Sequence, residues 1–266
     1  MIKVTVWNEY IQEQMDVRAD ELFPKDAPEE FRQGAIERAK EIKEVHHGAI
    51  HDTLKALLDE DEEIEVRHVA TLEMEECGLT KEVLDDTDVL VWWAHIAHDR
   101  VPDEIAERVR DYVLRGMGFI ALHSAHPSKP MQKLLGTTGS LQWREGDFCR
   151  VWNTCPTHPI AQGIPASFEL PEEEMYGEFF DIPKPDDLVF ISWYRGGEVF
   201  RSGCTWTRGY GKIFYFQPGH ETNKSYFNEN VRKIIRNAVK WAKPAMRVGE
   251  LTCPHAEVSP ESKYQK

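Results

Sequence analysis

The sequence predicts one doubly wound α/β domain, a mostly parallel sheet with helices on both faces and an antiparallel extension. Three observations predict it. Asp88–Trp93 (DVLVWW) and Gly118–Leu122 (GFIAL) are short, continuously apolar runs, the pattern of central strands covered on both faces. Helical patterns separate such runs, and strand–helix–strand alternation implies right-handed parallel crossovers. Beyond residue 136 strand-like runs follow one another with hairpin signals between them, as antiparallel strands do.

The elements follow in order. Ile2–Trp7 alternates apolar and polar residues into a first strand, and Ile64–Val69 (IEVRHV) does the same for a second. Between them Ile50, Leu54, Leu57 and Leu58 share one helical face. Residues 8–49 are too many for a simple connection, so they read as an insertion and a candidate lid. Phe31, Ala35, Ala39 and Ile42, about one turn apart, predict a helix over Glu29–Glu44 within it. Between the third strand, Asp88–Trp93, and the fourth, Gly118–Leu122, a helix carries Ile105, Val109, Tyr112 and Val113, with Pro102 at its start and Gly116 past its end.

The extension is read from Phe148–Trp152, Leu188–Trp193, Glu198–Arg201 and Lys212–Phe216, with Gly196-Gly197 as a hairpin turn. Pro171 and Pro183-Lys-Pro185 mark loops, and Glu172-Glu173-Glu174 reads as a solvated loop. A last helix over about 224–242 repeats Val231, Ile234, Ile235, Ala238 and Trp241. The expected organisation is one domain over 1–243 and a proline-broken tail over 244–266.

Composition excludes partners more readily than it suggests them. The 266 residues carry a formal charge of −14, which opposes nucleic acid and anionic membrane surfaces. With 41% hydrophobic residues the chain can build a sizeable core. No window approaches the ~18 apolar residues of a spanning helix. Five irregularly spaced cysteines and an N-terminus without a signal-peptide pattern lead to the expectation of reduced thiols in a cytoplasmic protein. Apolar surface on the extension makes a homo-oligomer an expectation as well.

Ligands of open parallel sheets bind beyond the carboxyl ends of the strands. Here the third strand runs into His95 and His98, the fourth into His123, Ser124 and His126, and the last into His220-Glu221. A separate loop carries His158. These histidines are expected on one rim, where they would serve as acid–base groups near neutral pH. Alternatively, a subset of His95, His98, His123, His126 and His220 would hold a divalent metal, zinc foremost. Trp7, Trp92, Trp93, Trp143, Trp152 and Trp193 offer faces for a small-molecule sugar. Trp93 and Trp143, with His95 and Glu221, are taken as substrate-binding. Gly116-Met-Gly118 precedes its strand, so no nucleotide or flavin cradle is expected. The turn after the fourth strand, where related sheets mount a nucleophile elbow, offers no cysteine.

His46-His47-Gly48-Ala49-Ile50-His51, Gly116–His123, His158-Pro159-Ile160, Glu174-Met-Tyr176 and Gly211–His220 stand in order along most of the chain. In these pieces the sequence resembles the trehalose-utilisation protein A (ThuA)-like family. The resemblance implies a flavodoxin-like sheet similar to class I glutamine amidotransferases, and a catalytic pocket of His123, His158, Glu174, Tyr176 and His220. It implies utilisation of trehalose or a related disaccharide or keto-sugar, with a non-catalytic sugar-binding protein as the alternative. His220-Glu221 resembles the histidine and glutamate after the amidotransferases' last strand. The missing elbow cysteine argues against glutaminase chemistry.

Overall fold

The first half of the chain runs β1 (Ile2–Asn8), α1 (Met15–Leu22), α2 (Glu29–His46), α3 (Ile50–Asp59), β2 (Ile64–Thr71), α4 (Lys81–Asp85), β3 (Val89–Trp93), α5 (Asp103–Leu114), β4 (Gly118–Leu122) and α6 (Lys129–Leu135). The second half runs β5 (Gln142–Asn153), β6 (Ser167–Gly177), β7 (Asp187–Tyr194), β8 (Val199–Arg208), β9 (Gly211–Phe216) and α7 (Glu229–Ala242). This computed structural model describes residues 1–24, 26–253 and 255–264. Lys25 of the predicted insertion, and Pro254, Gln265 and Lys266 of the predicted tail, lie outside the described residues.

All the strands join one sheet in the order β2-β1-β3-β4-β9-β8-β7-β5-β6. From β2 to β9 the pairs are parallel, and from β9 to β6 they are antiparallel. A parallel core with β1 between β2 and β3 is the flavodoxin-like order. Every residue of β3 and β4 is buried, which is why these strands read as unbroken apolar runs. Trp7 and Trp92, paired in register, stack with ring centroids 3.7 Å apart.

Helices cover the sheet through the faces their spacing predicts. Val231, Ile234, Ile235, Ala238 and Val239 of α7 are fully buried, and Asn228 caps the helix by accepting from the backbone N–H of Asn230 at 2.9 Å. The last helix therefore starts at Glu229, with Lys224–Phe227 as a separate 3₁₀ turn before it. At Gly118 an added Cβ would lie 2.5 Å from the Ala242 carbonyl oxygen, so this glycine sets how closely α7 approaches β4.

Two expectations change. The stretch around Pro171, predicted as a loop, is strand β6 at the edge of the sheet. Pro171 falls where the β5–β6 register shifts between Asp147 and Cys149, the edge-and-bulge setting in which a missing N–H does no harm. The insertion holds two helices, α1 and α2, rather than one, and α2 continues to His46.

The fold leads to a direct expectation for the core. Ile235→Ala leaves a cavity under α7 and lowers unfolding free energy by about 2–5 kcal/mol, whereas Asn228→Ala, which removes only the cap, lowers it by about 1 kcal/mol. Urea titration of both variants measures the difference.

Candidate active site

Three histidines follow directly from three neighbouring strands. The rings of His95, His123 and His220, after β3, β4 and β9, stand edge-on with centroids 5.4 to 5.9 Å apart. A buried hydrogen-bonding arrangement holds each one.

His123 leaves β4 with φ 51°, a left-handed conformation that is costly for a non-glycine residue and turns its side chain out of the sheet. Its Nδ1–H donates to the Gln217 carbonyl at 2.9 Å, which turns Nε2 toward Glu174 and Tyr176. Nε2 lies 3.1 Å from Glu174 Oε2 and 3.4 Å from the Tyr176 hydroxyl. The Tyr176 ring stacks on His123, and its hydroxyl shares a 2.6 Å hydrogen bond with Ser124.

His95 sits on a loop held by Glu9, whose buried carboxylate accepts from the backbone N–H of Ile96 at 2.8 Å and of Ala97 at 3.0 Å. His220 sits on a loop held by Glu173, which accepts from the N–H of Gly219 at 2.9 Å and of His220 at 3.1 Å, and from Ser225. Trp93 Nε1–H donates to the Gly219 carbonyl from the other side. His220 Nδ1 accepts from the Thr222 hydroxyl at 2.9 Å and faces the Thr222 N–H at 3.3 Å, so in the neutral ring the proton is on Nε2.

Glu221 is the electrostatic centre. It is fully buried, and its carboxylate accepts from Gln12 at 3.0 Å, Arg38 at 3.2 Å and His95 Nδ1 at 2.9 Å. Burial works against its charge, but the neighbouring histidines, His95 first, hold the carboxyl well below its usual range. Burial likewise opposes the charged form of His95, yet Glu221 outweighs it and pushes the ring up to about 9. His123 is raised by Glu174 against its own burial, and Glu174 is lowered by His123 in return. His220 is lowered, mainly by burial.

His95, Glu174 and Tyr176 border a pocket of about 800 Å³, and His123, His220 and Glu221 stand buried directly behind them. Its inner end is lined by His95, His98, Ser124, His126, Glu174 and Tyr176, and its outer wall is formed in part by α2. The insertion thus borders the site.

Of the residues predicted from sequence, His95, His123, His220, Glu174, Tyr176 and Glu221 come together. His98 and His126 line the pocket but stand apart from the group whose ligand atoms lie within 4.8 Å of one another, His123, Glu174 and His220. His126 Nδ1–H is occupied by the Gly139 carbonyl at 2.6 Å, and burial lowers the ring to about 3. His98 is lowered to about 4 by burial.

Several expectations need correction. His158 is not on this rim. It packs on Trp241 with centroids 5.4 Å apart, near Lys212 at the amino end of β9, and its Nδ1 accepts from the Ile160 N–H. Trp93 is fully buried and positions the His220 loop, so it offers no face to a sugar. Trp7 and Trp92 are buried in their own stack, and Trp143 is the tryptophan among the pocket's lining residues. Glu173 and Glu174, read as solvated, are buried. Glu9, Gln12 and Arg38 were missed. Their only sequence signal was their place in an insertion next to the first strand's carboxyl end.

An open, parallel-cored sheet with a pocket beyond its strand ends defines the α/β class whose members bind ligands at that rim. More particularly, the chain belongs to the ThuA family, described as trehalose utilisation, whose model matches residues 38–242. A ThuA-like protein from Parabacteroides merdae has a similar structure, with a TM-score of 0.58 at 13% identity over 93% of this chain and 92% of that one. A cytoplasmic protein from Salmonella typhimurium aligns with a TM-score of 0.53 at 14% identity, covering 72% of this chain and 86% of that one. Identities this low speak for the fold alone. A search of curated proteins finds no match. Among the described residues no helix is long and apolar enough to cross a membrane.

Glu13 provides a test of the site's support. It is fully buried, accepting from Asn8 at 2.7 Å, and burial raises its carboxyl to about 7. The folded chain therefore keeps a proton there that the unfolded chain has released, and this contribution to stability is lost as pH rises from about 4.5 through 7. Glu13→Gln removes that dependence. Relative to wild type, its unfolding free energy should rise between pH 5 and pH 8 by up to about 3 kcal/mol, measured by urea titration at both pH values.

Proposed function

We propose that this ThuA-family protein is a cytoplasmic enzyme of sugar utilisation that acts on trehalose or a related disaccharide in an oxidised, keto form. The observation that carries the reading is the pairing of His123 and His220. They are adjacent rings whose outer nitrogens differ: Nε2 of His123 stands 3.1 Å from the Glu174 carboxylate, and Nε2 of His220 bears a proton to donate in a hydrogen bond. A carbonyl acidifies the neighbouring C–H. His123 would take that proton, with Glu174 stabilising the resulting imidazolium as a carboxylate partner does. Electrons from the broken C–H bond would form the new double bond as the glycosidic C–O bond breaks. The leaving oxygen would take its proton from the imidazolium formed on His123, with the His220 Nε2–H donating a hydrogen bond to that oxygen, giving an unsaturated keto-sugar and a free sugar and restoring neutral His123. Tyr176 would hold the His123 ring by stacking and place a hydroxyl beside its nitrogen.

A second reading is favoured by one observation. His123, Glu174 and His220 present ligand atoms within 4.8 Å of one another. Two imidazoles and a carboxylate suit a divalent cation such as zinc, which when bound would polarise a substrate carbonyl. His123 already has the required outer hydrogen bond to a backbone carbonyl. His220 would have to turn its Nδ1–H toward the Thr222 hydroxyl.

Both readings are tested on purified protein with 3-keto-trehalose, following release of glucose. His123→Ala and His220→Ala should each lower kcat by about 10²–10⁴-fold. Turnover at the wild-type rate in both variants would contradict the reading. Stoichiometric metal in wild type, measured by plasma mass spectrometry and lost in Glu174→Ala, would assign the chemistry to the cation. Its absence after metal-supplemented growth would leave proton transfer.

A further inference from the structure

The outer half of the pocket has a composition that the chemistry at its inner end does not require. Phe31, Gly34, Ala35 and Arg38 of α2 all line it, and their i, i+3, i+4, i+7 spacing places them on one helical face. Phe31 is 71% exposed and Trp143 61% exposed, large fractions for two aromatic rings at one pocket mouth. Trp143 on β5 pairs directly with Tyr176 on β6, the residue whose ring stacks on His123. One row of side chains thus leads from the reacting histidines out to Trp143. Arg38 reaches from α2 to Glu145, two residues beyond Trp143, with a 2.9 Å ion pair that holds the two sides of the mouth at a set distance.

Gly34 is the informative residue. It lies in the interior of an 18-residue helix, where glycine costs roughly 0.5–1 kcal/mol relative to alanine. Its backbone is not in the left-handed region, and a Cβ built there would find nothing within 4 Å. Neither φ nor packing calls for a glycine. What its absent side chain leaves is a ledge between Phe31 and Arg38, open toward the pocket.

From these residues we infer that the mouth is a second sugar subsite, in which the distal ring of a two-ring glycoside lies over Gly34 and Ala35 against Phe31 and Trp143 while the first ring meets the histidines. A pocket of about 800 Å³ is near the upper end of the roughly 300–1,000 Å³ typical of ligand sites and has more room than one pyranose fills. The mouth mixes aromatic faces with Glu30, Arg38 and Glu145. An apolar ligand would take water from those charges and offer no hydrogen bond in return, whereas a pyranose presents C–H faces to the rings and hydroxyls to the charged groups. Phe31 and Gly34 precede residue 38, where the family match begins, so the subsite belongs to this chain's insertion.

The inference rests on the sugar-directed reading above, and its test separates the two. Calorimetric titration of the full chain with trehalose and with glucose is the measurement. Wild type should bind trehalose at least 10-fold more tightly than glucose. Gly34→Leu, which fills the ledge without touching the fold, should bring trehalose down to the affinity of glucose and leave glucose unchanged. Trp143→Ala should do the same, and Trp143→Phe, which keeps an aromatic face, should retain most of the preference. Equal affinities in wild type, or an unchanged trehalose affinity in Gly34→Leu, would overturn the second subsite. Glucose binding that is lost in His123→Ala would in that case leave the functional reading standing. Failure of wild type to bind either sugar would overturn the second subsite, and absence of 3-keto-trehalose turnover as well would overturn both.

Discussion

A single buried carboxylate, that of Glu221, sets the requirement around which the site is arranged. A charge removed from water must be met by opposite charge and hydrogen bonds or it will not stay ionised. Glu221 is met by Gln12 from the turn after β1, Arg38 from α2 and His95 from the loop after β3, while His46 at the end of α2 donates to its backbone carbonyl at 2.9 Å. One negative charge thereby fixes the insertion to the carboxyl ends of the parallel strands and makes its helix part of the pocket wall. The His46 ring, lowered to about 4 by burial, is neutral, so that Nε2–H donates to the Glu221 carbonyl while Nδ1 accepts from the Thr53 hydroxyl at 3.0 Å.

The same device recurs on a smaller scale. Glu9 carries the His95 loop and Glu173 the His220 loop, each by accepting from two successive backbone N–H groups. Strand ends in a parallel sheet leave their following N–H groups without ladder partners, and a buried carboxylate satisfies two at once. Two histidine loops thus rest on acidic side chains packed behind them. The acidic composition, which at first only ruled out polyanionic partners, includes the framework of the site.

Much of the parallel core was legible in the sequence because strands covered on both faces must be apolar throughout, as β3 and β4 are, and because the α3, α5 and α7 faces repeat at helical spacing. The convergence of His95, His123 and His220 was legible for a topological reason: each lies within four residues of the carboxyl end of a parallel strand, and parallel strands end on the same rim. β6 was hidden. Its middle, Leu170-Pro171-Glu172-Glu173-Glu174, has the composition of a solvated turn, and only the edge position and bulge explain why it is a strand. The burial of Glu173 and Glu174 depends on partners contributed by residues 219–225 and 123, distant in sequence. His158 was misplaced because a loop between antiparallel strands can fall at either end of the sheet, and Trp93 because an aromatic residue beside a site can serve by supporting a loop.

Whether the Glu221 charge ties the insertion to the histidine-bearing rim is measured directly by hydrogen exchange of wild type against Glu221→Gln, a substitution that keeps the shape and removes the charge. The account predicts faster exchange in α2 and in the loop carrying His95 through Ala97, with β3, β4 and β9 unchanged. Exchange in α2 identical to wild type would contradict it.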